Sequence, residues 1–200
     1  MNLVSRAQAF ILKPKDEWVK VKGESTPVMP LFMSYAVPLA AISYIAMFIG
    51  EALIGYRVPF LGWIHVPPVR ALLHAVVFYV LALASVYAWG IIINALAPTF
   101  GSKPNLENAM KLAVYSATPL WIGGIFNILP FLSWLGFLLG LYGLYVMYLG
   151  FKTPLMDTPA EKVVGYLVVS IVVYVVIFAV VAVIIGAIFA VGVGTLSPGL

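Results

Sequence analysis

Apolar residues run along this chain in long segments that short polar stretches separate. A helix that rises 1.5 Å per residue needs about 20 apolar residues to cross roughly 30 Å of hydrocarbon. Segments that approach or exceed this length lie at 31–54, 69–96, 109–128, 131–150 and 163–191. Because they are apolar on every side, and not along one face only, they predict five membrane-spanning helices.

The first thirty residues follow a different pattern. Apolar residues at 3, 4, 7, 10 and 11 recur at spacings of three and four, and Arg6 and Gln8 interrupt them. This spacing is typical of an amphipathic helix and not of a signal peptide. Pro14 suits the first turn of a second short helix. We expect Phe10 and Trp18 to act as interfacial anchors at the level of the lipid headgroups.

The predicted fold is therefore an all-α membrane protein. It consists of a cytoplasmic, amphipathic N-terminal segment at 1–30, a five-helix transmembrane bundle at 31–191 and a short external tail at 192–200. The segment at 1–30 is expected to lie on the membrane surface. Leu129 and Pro130 alone separate the third span from the fourth, which predicts a tight helical hairpin.

Composition supports a membrane protein and excludes a soluble one. The 200 residues are 64% hydrophobic and only 9% charged, and the mean hydropathy is +1.09. So few polar side chains do not cover a water-soluble domain of this size. The absence of cysteine excludes disulfides and thiolate ligands.

Basic residues predict the orientation of the chain. With five crossings, nine of the 11 lysine and arginine residues fall on the side of the N-terminus, and only Arg57 and Arg70 fall on the other. The positive-inside rule then places the N-terminus in the cytoplasm and the C-terminus outside. Since these residues lie in short segments between spans, they indicate topology and no nucleic-acid partner.

Polar residues inside the spans are the candidate site. Glu51 lies near the outer end of the first span, and Arg70 and His74 begin the second. We expect Glu51 to pair with Arg70 or His74, as a functional site or as a structural pair near a helix end. Asn94 and Asn127 are further candidates, either functional or as hydrogen-bonding contacts between helices.

No motif in the sequence supports catalysis or a cofactor. His65 and His74 are nine residues apart and match no HExxH spacing, and no cysteine accompanies them. No GxSxG, phosphate-binding loop or GxGxxG pattern is present. We predict neither catalytic residues, metal nor cofactor, and no enzymatic activity.

Small residues predict close helix packing. Gly136 and Gly140 form a GxxxG pair in the fourth span, and Gly186 and Gly194 belong to a stripe of small residues in the fifth. These stripes bring helices together within one chain, between copies, or with another membrane protein.

A proline interrupts the third span within the sequence Tyr115-Ser116-Ala117-Thr118-Pro119-Leu120. Pro119 removes one backbone hydrogen bond, and the hydroxyl of Ser116 or Thr118 is able to satisfy the freed group. We therefore predict a kink at Tyr115, Ser116, Thr118 and Pro119, which is either a hinge or an accommodation of packing.

This segment, with the run 141–145 after the hairpin, resembles the signature of the Yip family, the Ypt (Rab-type GTPase) interacting proteins. The stretch 14–18 and the Glu161-Lys162 pair are similar to the family's bacterial branch of small membrane proteins. The resemblance implies five membrane helices, a cytoplasmic N-terminus, a location in the prokaryotic inner membrane and no established catalytic residue. Eukaryotic members are associated with Rab-type GTPases, vesicle traffic and membrane shaping, and they carry a longer N-terminal region.

Three functions follow from these observations. The first is a non-enzymatic protein that organises or shapes the membrane, with the N-terminal helices inserted in one leaflet. The second is a transporter or channel for a small ion or solute, lined by polar residues of the bundle. The third is a scaffold that binds itself or another membrane protein. In each case the lipid bilayer is a partner.

Overall fold

In the part of the chain that the structure describes, the regular elements are helices, apart from one short hairpin of strands. The structure, a computed structural model, describes residues 2–58, 60, 62–153 and 155–194, without the side chains of 57, 58 and 181–194. The helices are α1 (Leu3–Leu12), α2 (Pro14–Lys22), α3 (Val28–Ile54), α4 (Pro68–Phe100), α5 (Leu106–Ser116), α6 (Thr118–Gly123), α7 (Ser133–Lys152) and α8 (Val163–Gly194).

Within the described residues, four helical segments are long and apolar enough to cross a bilayer. They are Val28–Ile54, Pro68–Phe100, Pro130–Lys152 and Ala160–Val180. Two wider, π-helical turns lie in α3, at Phe32–Ala36 and Gly50–Ile54. Tight 3₁₀ turns end α4 and precede α7 and α8. Most outward side chains of these helices are apolar and exposed, as contact with lipid requires.

The predicted third span, 109–128, is not a continuous helix, and a count of five spanning helices is not confirmed. α5 ends at Ser116, α6 ends at Gly123, and a 3₁₀ turn covers Gly124–Ile128. Pro119 lacks the N–H that would continue α5. Close packing of this segment against α3 is a second reason for the interruption of the helix. A Cβ at Gly124 would lie 2.1 Å from Ser43 Oγ.

The broken segment α5–α6 occupies the centre of the bundle. Every residue from Ala109 to Ser116 is buried. The segment begins beside the loop before α8, where Asn108 Nδ2 donates to the Leu155 carbonyl at 2.7 Å. It ends beside Gly50 of α3, where a Cβ would lie 1.9 Å from the Asn127 carbonyl oxygen. Residues 106–128 therefore run from one end of the bundle to the other.

A β-hairpin connects α3 to α4. Strand β1 (Tyr56–Val58) pairs antiparallel with β2 (Gly62–Ile64), and Tyr56 lies opposite Ile64. Gly55 and Gly62 have positive φ angles of 78° and 81°, which glycine adopts without strain. We call this end of the molecule the hairpin end. The helices α1 and α2 pack on the half of the bundle away from it.

Candidate functional site

The N-terminal helices are part of the protein core. Phe10 and Trp18 are both 0% exposed. The ring of Phe10 stacks on that of Tyr115, with centroids 4.6 Å apart, and Trp18 packs edge-on against Phe10. Trp18 Nε1 donates to the Val146 carbonyl of α7 at 2.8 Å.

The prediction that Phe10 and Trp18 anchor in the lipid headgroups is therefore wrong. Periodicity shows which face of a helix is apolar, but it does not distinguish burial against protein from burial in lipid. Here the aromatic rings of α5 and the backbone of α7 supply the partner surface. Tyr142 Oη strengthens the same contact by donating to the Ile11 carbonyl at 2.8 Å.

An arginine between two glutamates joins α1 to α2 and the following loop. Arg6 is buried, and its guanidinium contacts Glu17 Oε1 and Glu24 Oε1, each at 2.6 Å. Lys20 Nζ lies 3.0 Å from the second oxygen of Glu17. Burial acts to lower the pKa of Arg6, but the carboxylates of Glu24 and Glu17 outweigh it and the net direction is upward. The Arg6 side chain therefore stays charged and fixes the angle between the two helices.

A buried lysine attaches the end of α2 to the centre of the bundle. Lys111 of α5 is only 2% exposed. Its ammonium group donates to the Glu24 carbonyl oxygen and, at 3.2 Å, to Asn108 Oδ1. Because an unpaired buried ammonium is costly, this arrangement makes the loop after α2 part of the folded structure.

Sequence reasoning missed Arg6, Glu17, Glu24 and Lys111 as a connected group. Arg6 was visible as an interruption of the apolar pattern of α1, and Lys111 as a charge inside a predicted span. Since the groups come from three separate segments, only the tertiary structure brings them together.

The N-terminal helices still expose apolar side chains. Val4 and Leu12 of α1 are 61% and 75% exposed, and Val19 of α2 is 65% exposed. We call these three residues the N-terminal apolar face. Exposed lysines 13 and 15 lie between them along the chain. An apolar surface beside basic side chains is typical of a helix that lies in a membrane interface.

The predicted kink residues lie at the junction of α5 and α6. Ala117 separates the two helices, and Pro119 occupies the first turn of α6. Thr118 Oγ1 forms a hydrogen bond of 2.8 Å with the Tyr35 hydroxyl of α3. The buried Ser116 hydroxyl has no hydrogen-bond partner among the described residues. Tyr115 belongs to the aromatic cluster with Phe10, so the break lies beside the docked N-terminus.

At the hairpin end, the structure brings Glu51 together with His74. Glu51 is 8% exposed and lies in the wide turn Gly50–Ile54. Its Oε2 lies 3.2 Å from His74 Nδ1, and its Oε1 accepts a hydrogen bond of 3.1 Å from the Tyr56 hydroxyl. Burial and the charge of Glu51 raise the pKa of Tyr56, so this phenol remains a donor. Arg70 is exposed, one turn before His74.

Two of the cavities on the hairpin-end half of the bundle are both lined in part by Asn127 and Ser133. The smaller, of about 180 Å³, also contacts Glu51. The larger, of about 430 Å³, lies between α3, α4, α6, α7 and α8, and its polar side chains include Ser43 and Ser85. Asn127 therefore borders both cavities, and it shares the smaller one with Glu51.

Asn94 is separate from this group. It is half-buried near the far end of α4, and its Oδ1 has no hydrogen-bond partner among the described residues. The structure thus brings Glu51, His74 and Asn127 together and leaves Asn94 apart.

Gly136 and Gly140 pack within the chain. A Cβ at Gly136 would lie 2.9 Å from the Gly123 carbonyl oxygen, and one at Gly140 would lie 3.0 Å from Leu120 Cδ1. α6 therefore packs against both glycines, and Gly136 is buried by this contact. Gly186 and Gly194 lie in the part of α8 whose side-chain surroundings the structure does not describe, and the predicted tail from 195 onward lies outside the described residues.

The described residues contain no group of three or more histidine or acidic side chains that could hold a metal ion.

A family model, the Yip1 domain, matches residues 9–196. The inner membrane protein YohC, from two strains of Escherichia coli, is 29% identical over 137 residues, which cover 66% of this chain and 67% of YohC. No solved structure matches the chain.

Proposed function

Because the chain belongs to the Yip1 domain family and is a helical membrane protein, we propose that it organises or shapes the inner membrane without enzymatic activity. The N-terminal apolar face carries this proposal. Val4, Leu12 and Val19 point away from the bundle, on helices that the bundle holds in place. Similarity to YohC, an inner membrane protein, supports the location.

Rigid attachment makes insertion into one leaflet effective. Full burial of one valine or leucine side chain contributes about 1.5–3 kcal/mol, so three such residues provide several kcal/mol for insertion into the interface. A free amphipathic helix would lose part of this insertion free energy, because its backbone and side chains lose conformational entropy when they become ordered. Here Arg6 joins α1 to α2, the Tyr142 hydroxyl holds the end of α1, and Trp18 and Lys111 fix α2 and the following loop to the bundle. The inserted volume therefore accompanies every copy of the protein.

The proposed orientation places this face in the cytoplasmic leaflet. The broken segment 106–128 acts as a fifth crossing, because it runs between the two ends of the bundle. Segment 1–30 then lies inside with most lysine and arginine residues, and the C-terminal tail lies outside. Anionic headgroups would contact exposed lysines beside α1 and α2 at about 1 kcal/mol each.

Vesicle remodelling by the purified full chain tests this function. We expect vesicles of anionic and zwitterionic lipid to become smaller or tubular with the wild-type protein, as seen by electron cryomicroscopy. The triple variant Val4→Gln, Leu12→Gln, Val19→Gln should lose this effect and keep its melting temperature. Leu106→Gln, at a 40% exposed position of α5, is the matched control. Equal remodelling by the triple variant and wild type would refute the proposal.

A second candidate function is transport of a small ion or solute. The cavity of about 430 Å³ favours it, because serine and asparagine side chains line a space between helices. Flux into proteoliposomes tests this candidate. Loss of flux in Asn127→Leu with an unchanged melting temperature would support transport, and absence of flux for a panel of cations and neutral solutes would exclude it for those solutes.

A further inference from the structure

The small cavity at the hairpin end has the chemistry of a cation site. Its volume is about 180 Å³, and it is lined by Met47, Glu51, Tyr56, Asn127, Pro130 and Ser133. Glu51 supplies an acidic carboxyl group, and the tyrosine, asparagine and serine supply further oxygen atoms. Among the side chains that the structure describes, which do not include that of Arg57, no lysine or arginine lines the cavity. Glu51 also belongs to a π-helical turn, a geometry that is frequent at functional sites.

The contacts of Glu51 leave part of its capacity to accept hydrogen bonds unused. Its two oxygen atoms contact the Tyr56 hydroxyl and His74 Nδ1. An ionised carboxylate offers about four lone-pair sites, so it accepts further donors from the cavity. A primary ammonium group carries three such donors and one positive charge, and hydrogen bonds between charged groups are the strong ones. Met47 and Pro130 provide apolar contact for a short alkyl chain beside it.

A second charge lies next to this site. Arg70 and His74 are four residues apart on α4, so their side chains share one face of the helix. His74 contacts Glu51, and the exposed side chain of Arg70 lies one helical turn before His74. An acidic group with a basic group on the neighbouring turn matches a ligand that carries an ammonium group and a phosphate.

The position in the fold also suits a lipid headgroup. α3 ends at Ile54 and α4 begins at Pro68, so the cavity lies at the ends of two spanning helices. Trp63 and Trp134, at the same end of the bundle, are 59% and 58% exposed. Exposed tryptophans at helix ends are typical of the interface between headgroups and hydrocarbon.

We propose that the cavity beside Glu51 binds a primary ammonium group on a short alkyl chain, as found in a phosphoethanolamine lipid headgroup or a free alkylamine. The carboxylate of Glu51 accepts from the ammonium, and Arg70 contacts the phosphate when one is present. This inference does not depend on membrane shaping or transport.

Calorimetric titration of the purified full chain with ethanolamine and with choline tests the ammonium group. Choline has the same chain but no N–H donor. Loss of one hydrogen bond to a charged group corresponds to about a tenfold or larger loss of affinity, so ethanolamine should bind at least tenfold more tightly. This comparison needs no variant. Glu51→Gln should abolish the preference, and Glu107→Gln on α5 should keep it. Equal binding of ethanolamine and choline to the wild type would overturn the proposal.

Lipid retention distinguishes the two sources of the ammonium group. The protein is extracted from bilayers with equal amounts of phosphatidylethanolamine, phosphatidylcholine and phosphatidylglycerol, and the retained lipid is quantified by mass spectrometry. The site is assigned to the lipid headgroup if the wild type is enriched in phosphatidylethanolamine and this enrichment falls in Arg70→Gln. Ethanolamine binding to Arg70→Gln should then be unchanged. Ethanolamine binding without this enrichment assigns it to free amines. No enrichment and no preference for ethanolamine would refute both.

Discussion

Replacement of Arg6 by methionine tests whether the N-terminal helices belong to the folded core. The change removes the guanidinium that contacts Glu17 and Glu24 at 2.6 Å and leaves the buried carboxylate of Glu17 without this partner. Breaking a buried ion pair from one side costs about 3–5 kcal/mol. Glu24 is more exposed and adds little. Lys20→Met removes the other charge near Glu17, but its side chain is 67% exposed, and we expect about 0.2–1 kcal/mol.

Hydrogen exchange of the protein in lipid nanodiscs measures this difference. A loss of 3–5 kcal/mol corresponds to faster exchange of residues 3–22 by about two to nearly four orders of magnitude, since 1.4 kcal/mol is a factor of ten. α7 should keep its protection. The double variant Arg6→Met, Glu17→Gln should recover part of the loss because no buried charge remains unpaired. Equal, small effects of Arg6→Met and Lys20→Met would refute the role assigned to Arg6.

Four further substitutions probe the packing of the core by thermal melting. Gly150→Ala places a Cβ 2.6 Å from Leu112 Cδ2 and 2.8 Å from the ring of Trp18 and should cost about 1–3 kcal/mol, whereas Gly165→Ala meets its nearest atom at 3.5 Å and should be neutral or stabilising. Equal melting temperatures of these two variants would contradict the packing of α2 and α5 on α7. Trp18→Phe removes the hydrogen bond to the Val146 carbonyl and should cost about 1 kcal/mol; an unchanged melting temperature would contradict that bond. Ser116→Ala deletes a buried hydroxyl without a partner among the described residues, so it should not destabilise, and a loss above about 1 kcal/mol would reveal a partner.

Length and hydrophobicity were sufficient to identify four spanning segments, since α3, α4, α7 and α8 coincide with long apolar runs. The third run was equally apolar from 112 onward, and the sequence showed Pro119 within it. Hydropathy does not show whether an apolar segment contacts lipid or other parts of the protein. Residues 109–116 of α5 are buried inside the bundle, so this segment can end early and can contain Lys111.

The candidate site was predictable in part. Glu51 and His74 lie near facing ends of two consecutive helices, and the structure joins them at 3.2 Å. Tyr56 was not identified, because the hairpin that returns it to Glu51 is a short exposed element. Phe10 and Trp18 were assigned to the lipid interface because the apolar residues of a helix have the same spacing along the chain whether they face lipid or protein.

Spin labels on single cysteines test the central claim, that α1 and α2 are attached to the bundle and present apolar side chains to the lipid. The chain has no cysteine, so labels at Val4, Leu12, Val19 and, as control, Lys15 are unambiguous. The account predicts that collisions with oxygen exceed those with a water-soluble nickel reagent at the first three positions, and that the reverse holds at Lys15. Equal access of the nickel reagent to all four positions would contradict it.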